Sequence, residues 1–558
     1  MKYSGAEITI KLLEKEGVDI IAGIPGGTNL PLYSALAKSE IRHILARHEQ
    51  AAGFMSHGMA RSTGKTAVCF ACSGPGATNL MTAIADAKMD SVPLIAITGQ
   101  VPSSLIGTDA FQEVDTYGMT IPITKHNFLI RSTEELLSAI PEAFRIASEG
   151  RPGPVLIDIP KDVQLEMIEV ESFDRPCDEN DLSICIDEAA IERTAEMINS
   201  SEKPVLYTGG GIILSGAEEM LLDFAHKNSI PVASTLMGLG CFPNSDDMFI
   251  GMLGMHGQRY TNYIMHEADL LLAFGTRFDD RATGKVKEFC PDARIIHIDI
   301  DGSEINKIKK ADIAIQGDIK QAIKQLLPLI EHNDRKEWTK TIMDMREKHP
   351  IYKNKKQDEQ LPEIMIKKIG VFAGEEAIIT TDVGQHQMWV AQYYPFSKPR
   401  TLLTSGGLGT MGFGFPVAIG AGLANPGKKV ICFSGDGSFL MNIQELSTLS
   451  ELDLDIKIII FNNRHLGLVR QQQEYFYGKE YIASQFNCKT DFARIAEGFG
   501  IESYDLKMAE NPFITLEKAI KKEGPVLINI PLAPEENITP MVAPGCANYE
   551  MIGGEVHE

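Results

Sequence analysis

The sequence predicts an α/β protein made of three doubly wound parallel-sheet domains. Strand-like apolar runs alternate with helix-length segments along the whole chain, and two polar stretches without periodicity divide it. The 558 residues are too many for one hydrophobic core and fit three domains of comparable size. Ligands of such sheets bind at the carboxyl ends of the strands, so the residues after each strand are the first candidates for function.

The apolar runs predict strands in chain order at 19–23, 67–71, 93–98, 155–159, 205–208, 270–274, 295–300, 377–381, 430–433, 456–461 and 526–530. The two polar stretches, 169–187 and 348–360, are interpreted as linkers. They divide the chain into an N-terminal domain at 1–168, a central domain at 188–347 and a C-terminal domain at 361–558.

Composition and charge argue against two classes of partner. Apolar residues make up 44% of the chain and charged residues 23%, as in globular proteins. The formal net charge of −22, with no local basic cluster, argues against nucleic acid, whose phosphates need Lys and Arg. The N-terminus lacks the apolar core of a signal peptide, and no apolar stretch has the length of a membrane span. We therefore expect a cytoplasmic protein without membrane contact.

The nine cysteines are scattered, which fits free thiols in a reducing compartment better than a disulfide framework. Cys69 and Cys72 form a Cys-x-x-Cys pattern within an apolar segment typical of a buried strand. Core packing is therefore favoured over redox chemistry or metal binding for both thiols.

Three glycine-bearing loops are expected at one edge of the third sheet, at 381–386, 405–414 and 435–438. Glycines leave room for phosphate oxygens, and Ser438 is expected to open a helix whose amides face an anion. Each loop alone is weak evidence, and for Gly-Asp-Gly alone the alternative is a tight strand-to-helix turn. With Asn-Asn at the end of the next strand, the loops predict a cradle for a large phosphorylated ligand. In it, Asp436 and Asn463 would hold Mg²⁺.

Gly-Asp-Gly followed at a distance by Asn-Asn resembles the signature of thiamin-diphosphate enzymes. The resemblance implies the three-domain fold of those enzymes and thiamin diphosphate (ThDP) as cofactor. It implies that Asp436, Asn463 and the main-chain carbonyl of His465 bind Mg²⁺, and that Met411 supports the bent cofactor. The ThDP-binding residues that it implies are Pro25, Glu49, Val383, Gly384, Gln385, His386, Gly409, Met411, Gly435, Asp436, Gly437, Ser438, Asn463, His465 and Gly467.

Glu49 follows an apolar strand end and precedes a run of small residues, so it is expected where a sheet edge meets a helix. An isolated Glu at such a place is more often a solvated helix residue. In the thiamin family a buried Glu is hydrogen-bonded to the aminopyrimidine ring and promotes removal of the C2 proton. The pyrimidine half usually comes from a partner subunit in this family. The resemblance thus implies a homodimer with inter-subunit active sites and leaves a tetramer open.

The resemblance narrows to the large catalytic subunit of acetolactate synthase and covers nearly the whole chain. It is carried by separate strings at 23–27, 73–79, 107–113, 125–128, 253–257, 277–281, 382–389 and 534–537. It implies decarboxylation of pyruvate and condensation with a second pyruvate or with 2-oxobutyrate, the first common step of branched-chain amino-acid biosynthesis. It also implies a small regulatory subunit with valine feedback.

By position, the resemblance assigns substrate chemistry to residues of two domains. Gln112 and Lys161 are expected to be catalytic, and Phe111 and Met255 to contact substrate. Arg281 is expected to clamp the carboxylate of the second substrate, which a guanidinium can bind in a bidentate way. Taken alone, Arg281 would more often form a surface ion pair, and Lys161 would be a solvated side chain.

The central domain raises the question of a nucleotide. The glycine triplet in 207–211 resembles a dinucleotide-binding turn only loosely. The strings at 253–257 and 277–281, however, are those of FAD-containing biosynthetic family members, and catabolic members lack them. The resemblance therefore implies FAD in a structural role. The contacts that it implies are Arg151, Gly210, Gly211, Thr235, Leu253, Gly254, Met255, His256, Gly275, Thr276, Arg277, Asp279, Arg281, Asp299 and Asp318.

Gln472 departs from most biosynthetic members, which have a tryptophan there that shapes the acceptor pocket and favours 2-oxobutyrate. Burial of one methylene contributes only about 1 kcal/mol, so loss of the aromatic wall is enough to erase most of that preference. Gln at this place is a feature of the isozyme I form, which the chain resembles most. A neutral substitution is the alternative.

Two other functions stay open at the level of the sequence. Another ThDP-dependent carboligase or a 2-oxo-acid decarboxylase would keep the cofactor residues, but the FAD-type strings and Gln112 disfavour both. A non-catalytic nucleotide-binding scaffold would keep the fold. Glu49 discriminates here, because a scaffold has no need of it.

Overall fold

The computed structural model describes residues 1–173, 185–351 and 361–553. These residues form three parallel six-stranded sheets, and each predicted domain range contains one of them. Much of the predicted linkers 169–187 and 348–360, and the end of the range 361–558, lie outside the described residues. In the described part of the chain, no helix is long and apolar enough to cross a membrane.

The first sheet has the spatial strand order Arg42–Leu45, Ile20–Gly23, Ala67–Ala71, Leu94–Gln100, Val155–Pro160 and His126–Leu129. Its helices are Gly5–Lys15, Leu30–Leu36, Glu49–Thr63, Pro75–Met89, Thr116–Thr120, Leu136–Ser148 and Lys161–Leu165, with 3₁₀ turns at Ser103–Leu105 and Ile121–Ile123. The short strands Lys2–Ser4 and Met167–Glu169 pair antiparallel beside this sheet.

The second sheet has the order Phe249–Met252, Val232–Ser234, Pro204–Thr208, Leu270–Phe274, Arg294–Asp299 and Ile313–Gln316. Its helices are Glu188–Ser200, Gly210–Ser215, Glu218–Lys227, Arg259–Glu267, Asp280–Thr283, Ile319–Leu326 and Lys336–Lys348. Three 3₁₀ turns, Leu236–Gly238, Val286–Glu288 and Leu327–Leu329, complete this part of the chain.

The third sheet has the order Leu402–Leu403, Ile378–Thr381, Val430–Gly435, Ile456–Asn462, Val526–Pro531 and Glu502–Asp505. Its helices are Pro362–Ala373, Gln385–Tyr393, Gly414–Ala424, Asp436–Phe439, Glu445–Ser450, Gly467–Phe476, Phe492–Gly498 and Pro512–Lys521, with a 3₁₀ turn at Leu506–Met508. The strands Met541–Val542 and Met551–Ile552 pair antiparallel near the end of the described chain.

Close packing of two helices joins the first and third parts of the chain. Helix Gly414–Ala424 is apolar and almost wholly buried, and it lies against helix Glu49–Thr63. A Cβ atom at Gly58 would lie 2.7 Å from the amide nitrogen of Ala421, so only glycine permits this approach. The helix that begins at Glu49 is therefore held rigidly on the third part of the chain.

The predicted strands are all present, and their ends differ from the predicted ends by at most two residues. Seven strands of the three six-stranded sheets lie outside the predicted runs: Arg42–Leu45, His126–Leu129, Val232–Ser234, Phe249–Met252, Ile313–Gln316, Leu402–Leu403 and Glu502–Asp505. The four short strands of the two antiparallel pairs lie outside them as well. The cysteine prediction is confirmed for the described residues, whose cysteines are all free thiols. Cys69 lies in a fully buried strand, and Cys72 is buried just beyond it.

Candidate active site

The sheet topology explains why distant glycine motifs meet at the third sheet. Strands Ile378–Thr381, Val430–Gly435 and Ile456–Asn462 are parallel neighbours, and Gly435 is paired with Phe461 in the register. Their carboxyl ends therefore lie side by side at one edge. The segments that follow these strands come together there, as the sequence predicts for a doubly wound sheet.

A cavity of about 180 Å³ lies at this edge. Every ThDP residue predicted in the third domain lines it: Val383, Gly384, Gln385, His386, Gly409, Met411, Gly435, Asp436, Gly437, Ser438, Asn463, His465 and Gly467. Trp389 also lines it, and the sequence analysis did not single out this residue. We call this space the third-sheet cavity.

The cavity has the features of a phosphate cradle. A Cβ atom at Gly437 would lie 2.8 Å from Cδ2 of Leu466, so a larger residue would disturb the cavity wall. The Nε2 atom of His386 is buried without a hydrogen-bond partner, and burial lowers the pKa of this imidazole to about 3. One prediction here is wrong in detail: the helix opens at Asp436 rather than at Ser438 and spans only Asp436–Phe439. The strand extends to Gly435, and the helix begins at the next residue.

The residues predicted to bind Mg²⁺ offer oxygen atoms at the same place. Asp436 is buried, and burial raises the pKa of its carboxyl to about 7. A bound cation would offset that cost of ionisation. The amide oxygen of Asn463 accepts from the backbone N–H of His465 at 3.0 Å and keeps a second lone pair. Among the described residues, no group of three His, Cys, Asp or Glu side chains could hold a metal. Amide and main-chain oxygens would therefore complete the site.

Asp382 organises this edge, although the sequence analysis gave it no role of its own. Its buried carboxylate accepts from the backbone N–H groups of Val383 at 3.0 Å and Gly412 at 2.8 Å, and from the Ser434 hydroxyl at 3.2 Å. It thus connects two of the predicted glycine loops to the end of the strand that precedes the third. Burial raises its pKa to about 6. Its place directly after a strand is the sequence signal that could have identified it.

Glu49 and Pro25 do not line the third-sheet cavity of their own chain. Pro25 follows strand Ile20–Gly23 of the first sheet. Glu49 is the first residue of its helix and accepts a hydrogen bond from Asn79 Nδ2 at 2.9 Å. The pyrimidine-side residues and the diphosphate-side residues predicted from the sequence are therefore separate within one chain.

The predicted substrate residues lie on three parts of the chain, and none lines the third-sheet cavity as described. Phe111 is 88% exposed, and its neighbour Gln112 has a left-handed backbone. Lys161 opens the helix after strand Val155–Pro160. All three follow strands of the first sheet or the loops after them.

Arg281 and Met255 are brought together in the central part of the chain. The backbone N–H of Met255 donates to the Arg281 carbonyl at 2.8 Å, and Arg281 Nη1 lies 3.6 Å from the Met255 sulfur. The Arg281 guanidinium is mostly exposed, 3.8 Å from Asp280. Gln472 is exposed on the helix that begins at Gly467.

A second, larger cavity of about 420 Å³ lies between the parts of the chain that carry the three sheets. We call it the interdomain cavity. Seven predicted FAD residues line it: Arg151, Gly210, Gly211, Gly275, Arg277, Asp299 and Asp318. The others, Thr235, Leu253, Gly254, Met255, His256, Thr276, Asp279 and Arg281, do not line it.

Local contacts explain in part which predicted FAD residues line the interdomain cavity and which do not. Arg151 is paired with Asp301 at 3.1 Å and Glu304 at 2.7 Å on one side of the interdomain cavity. Asp279 instead caps the helix Asp280–Thr283. His256 Nδ1 and Thr276 Oγ1 are buried without partners away from this lining. The glycines and charged side chains that line the interdomain cavity fit a large nucleotide.

Comparisons with known proteins show that the chain contains the domains of thiamine pyrophosphate enzymes. Three family models match in chain order: the N-terminal TPP binding domain of thiamine pyrophosphate enzymes at 3–119, their central domain at 191–326 and their C-terminal TPP binding domain at 382–530. Thiamine pyrophosphate is another name for ThDP.

Similar sequences show which group of thiamine pyrophosphate enzymes the chain belongs to. The chain is 54% identical to acetolactate synthase isozyme 1 large subunit of Escherichia coli, over 99% of this chain and 98% of the relative. It is 42% identical to the isozyme 2 large subunit of the same organism, over 98% and 99%. It is 47% identical to a probable acetolactate synthase large subunit of Methanocaldococcus jannaschii, over 97% and 94%. The chain belongs to the acetolactate synthase large-subunit family, as its sequence motifs predict.

Proposed function

We propose that this chain catalyses the biosynthetic acetolactate synthase reaction. It decarboxylates pyruvate and joins the two-carbon unit to a second pyruvate, which gives 2-acetolactate, or to 2-oxobutyrate, which gives 2-aceto-2-hydroxybutyrate. The observation that carries the proposal is the third-sheet cavity, where the predicted diphosphate and metal residues converge. Family membership over the whole chain supports it.

The chain's own residues would hold the cofactor as follows. Asp436, Asn463 and the His465 carbonyl would ligate Mg²⁺, and the Gly435–Ser438 turn would receive the diphosphate. Met411 would support the ring system from the loop that Asp382 anchors. When bound, ThDP supplies the electron sink that decarboxylation of a 2-oxo acid needs.

Glu49 would hold and move a proton at the pyrimidine ring of cofactor bound by a partner copy. Its separation from the third-sheet cavity of its own chain supports an inter-subunit site. Asn79 would fix the direction of the carboxylate. The active unit is then at least a homodimer.

The remaining expectations are part of the same proposal. Gln112, Lys161 and Phe111 would approach the cofactor from the first domain, and Arg281 with Met255 would receive the second substrate. FAD would occupy the interdomain cavity in a structural role. A small regulatory subunit is also expected, since the relatives are named as large subunits.

One incubation tests the proposal against its alternatives. Purified protein is mixed with pyruvate, ThDP and Mg²⁺, with and without FAD, and the products are identified. Acetolactate is the expected product. Acetaldehyde would show a decarboxylase instead, and unchanged pyruvate would show a scaffold. The Glu49→Gln variant, which keeps the shape of the side chain, is the matched control and should form no acetolactate above background.

A further inference from the structure

A buried ion cluster lies where two helices of the first domain end. Arg61, in the last turn of helix Glu49–Thr63, donates to Asp90 at 2.7 Å and approaches Asp86 at 3.3 Å. Both carboxylates belong to the end of helix Pro75–Met89 and the residue after it, and their side chains are fully buried. Buried charges are costly unless further polar partners surround them.

The third domain supplies those partners. Asp90 accepts hydrogen bonds from the backbone N–H groups of Gly406 at 3.0 Å and Gly407 at 2.7 Å. Backbone donors to a buried carboxylate are charge-assisted and stronger than neutral hydrogen bonds. Asp90 is thus bound to the main chain of a loop more than 300 residues away in sequence.

Asp86 and Arg61 hold the same loop at other points. One carboxylate oxygen of Asp86 accepts from the hydroxyls of Ser405 at 2.5 Å and Thr410 at 2.7 Å. Arg61 Nη1 donates to the carbonyl of Thr404 at 3.0 Å. The first domain therefore holds the loop from 404 to 410 through side chains that are almost wholly buried.

This loop reaches the third-sheet cavity at Gly409 and Met411. Hydrogen bonds from the rest of its own domain hold the loop near its two ends, where Gln387 donates to Thr404 and Ser405 and where Asp382 accepts from Gly412. Within the loop, the backbone N–H of Thr410 donates to the Ser405 hydroxyl at 2.9 Å. Among the described residues, the hydrogen bonds that reach positions 406–410 from outside the third domain are those to Asp86 and Asp90.

We propose that Asp86 and Asp90 are positioning residues, which clamp the loop 404–412 so that Gly409 and Met411 keep the shape that bound ThDP requires. The proposal rests on the function proposed above. The helix that precedes Asp90 also carries Asn79, which holds Glu49. The clamp thus connects the loop for a chain's own cofactor to the acid that the same chain offers to its partner.

The first test measures the loop directly, without cofactor or substrate. Amide hydrogen exchange is followed by mass spectrometry on peptides that cover 404–412, in the wild type and in Asp90→Asn. The variant keeps the side-chain shape but loses the charge that Gly406 and Gly407 donate to. We expect exchange in this loop to become faster by about tenfold, because a hydrogen bond to a charged group is stronger than one to a neutral amide.

The second test is calorimetric titration of the cofactor-free protein with ThDP at saturating Mg²⁺. Asp86→Asn and Asp90→Asn should each raise the Kd by about tenfold or more, by the same hydrogen-bond argument. Thr410→Val keeps both carboxylates and removes one donor to Asp86 from the loop side. It should raise the Kd in the same direction, and its effect should not add to that of Asp86→Asn.

Asp158→Asn is the matched control. Asp158 is as buried as Asp86, and it accepts from Thr98 and Gln100 within the first domain. This variant should lower the melting temperature without a change in loop exchange or in the Kd for ThDP. A purely structural role for the clamp would make Asp90→Asn behave like Asp158→Asn, and that result would overturn the proposal.

Failure of the proposed function and failure of the clamp would give different results. If the wild type binds no ThDP and forms no acetolactate, the proposed function fails. If the wild type does both but the clamp variants keep wild-type loop exchange and Kd, only the clamp is wrong. Should Asp90→Asn not fold, Thr410→Val carries both measurements, because it leaves the ion cluster intact.

Discussion

The third-sheet cavity and the interdomain cavity are built in different ways. The smaller one, about 180 Å³, is lined by segments that follow neighbouring strands of a single sheet. The larger one, about 420 Å³, is lined by residues from the parts of the chain that carry all three sheets. The lining of the first cavity therefore comes from one domain, although the first domain holds its loop 404–412 in place, whereas the second cavity exists only when the domains are packed together.

The two cavities also differ in their charges. The third-sheet cavity offers backbone groups, glycines and one buried carboxylate, Asp436. Burial raises the pKa of Asp436, and a bound cation would offset this cost of ionisation. In the interdomain cavity two of the lining cations already have acidic partners, Arg151 with Glu304 and Arg61 with Asp90. A ligand of the second cavity must compete with existing ion pairs, and we expect single substitutions there to have smaller effects.

The largest effect is expected for a residue that lines neither cavity. Glu49→Gln should slow deuterium exchange at C2 of bound ThDP by about 10²–10⁴, because a positioned general acid or base contributes that much. Exchange is measured by NMR after quenching, without substrate. Glu218→Gln is the control, since Glu218 also opens a helix but in the central domain. Unchanged exchange in Glu49→Gln would remove this residue from the mechanism.

Next in size is the loss of a metal ligand in the third-sheet cavity. Asp436→Ala should raise the Mg²⁺ concentration for half-maximal activity by about 100-fold, since even the partners behind metal ligands are worth about 10–100-fold. Asp299→Asn changes a carboxylate of the interdomain cavity whose pKa burial likewise raises. It should leave the Mg²⁺ titration unaltered. Equal shifts in the two variants would contradict the separate roles of the cavities.

A smaller effect is expected in the interdomain cavity. Arg277→Ala removes a cation from its lining and should weaken FAD retention by about tenfold, as for a lost charge-assisted hydrogen bond. Flavin absorbance after gel filtration measures this. Arg281→Ala should retain flavin, because Arg281 does not line the cavity, and should instead raise the KM for pyruvate. Flavin loss in Arg281→Ala alone would reverse these two assignments.

Most central strands of the sheets could be predicted from the sequence, whereas the edge strands could not. Central strands such as Ala67–Ala71 are buried at every position and appear as apolar runs. The strands outside the predicted runs are mostly sheet edges. Ile313–Gln316, for example, alternates between buried and exposed residues over only four positions. An edge strand is covered on one side only, so its sequence does not carry the continuous apolar signal.

The linings of the two cavities differ in the same way in how well the sequence predicts them. Residues after adjacent parallel strands meet because of the sheet itself, so the lining of the third-sheet cavity could be predicted from motifs. Contacts between domains depend on packing that local sequence does not encode. Thr235 and His256 were predicted beside a nucleotide and do not line the interdomain cavity. Conversely, the hydrogen bond from Gly406 to Asp90 joins residues 316 positions apart, so no local sequence pattern predicts it.

The smallest effect is expected at Gln472, which the family resemblance assigns to the acceptor pocket. Gln472 is exposed on the helix Gly467–Phe476, whose first residue lines that cavity. Gln472→Trp would add an aromatic wall there, and contact with one extra methyl contributes about 1 kcal/mol. With pyruvate and 2-oxobutyrate in competition, we expect the share of 2-aceto-2-hydroxybutyrate relative to 2-acetolactate to rise about fivefold. Gln472→Ala removes the side chain without adding a wall and should leave the ratio near wild type. If the tryptophan variant also keeps the wild-type ratio, acceptor choice is set by the Arg281 and Met255 side of the site, which belongs to the central domain.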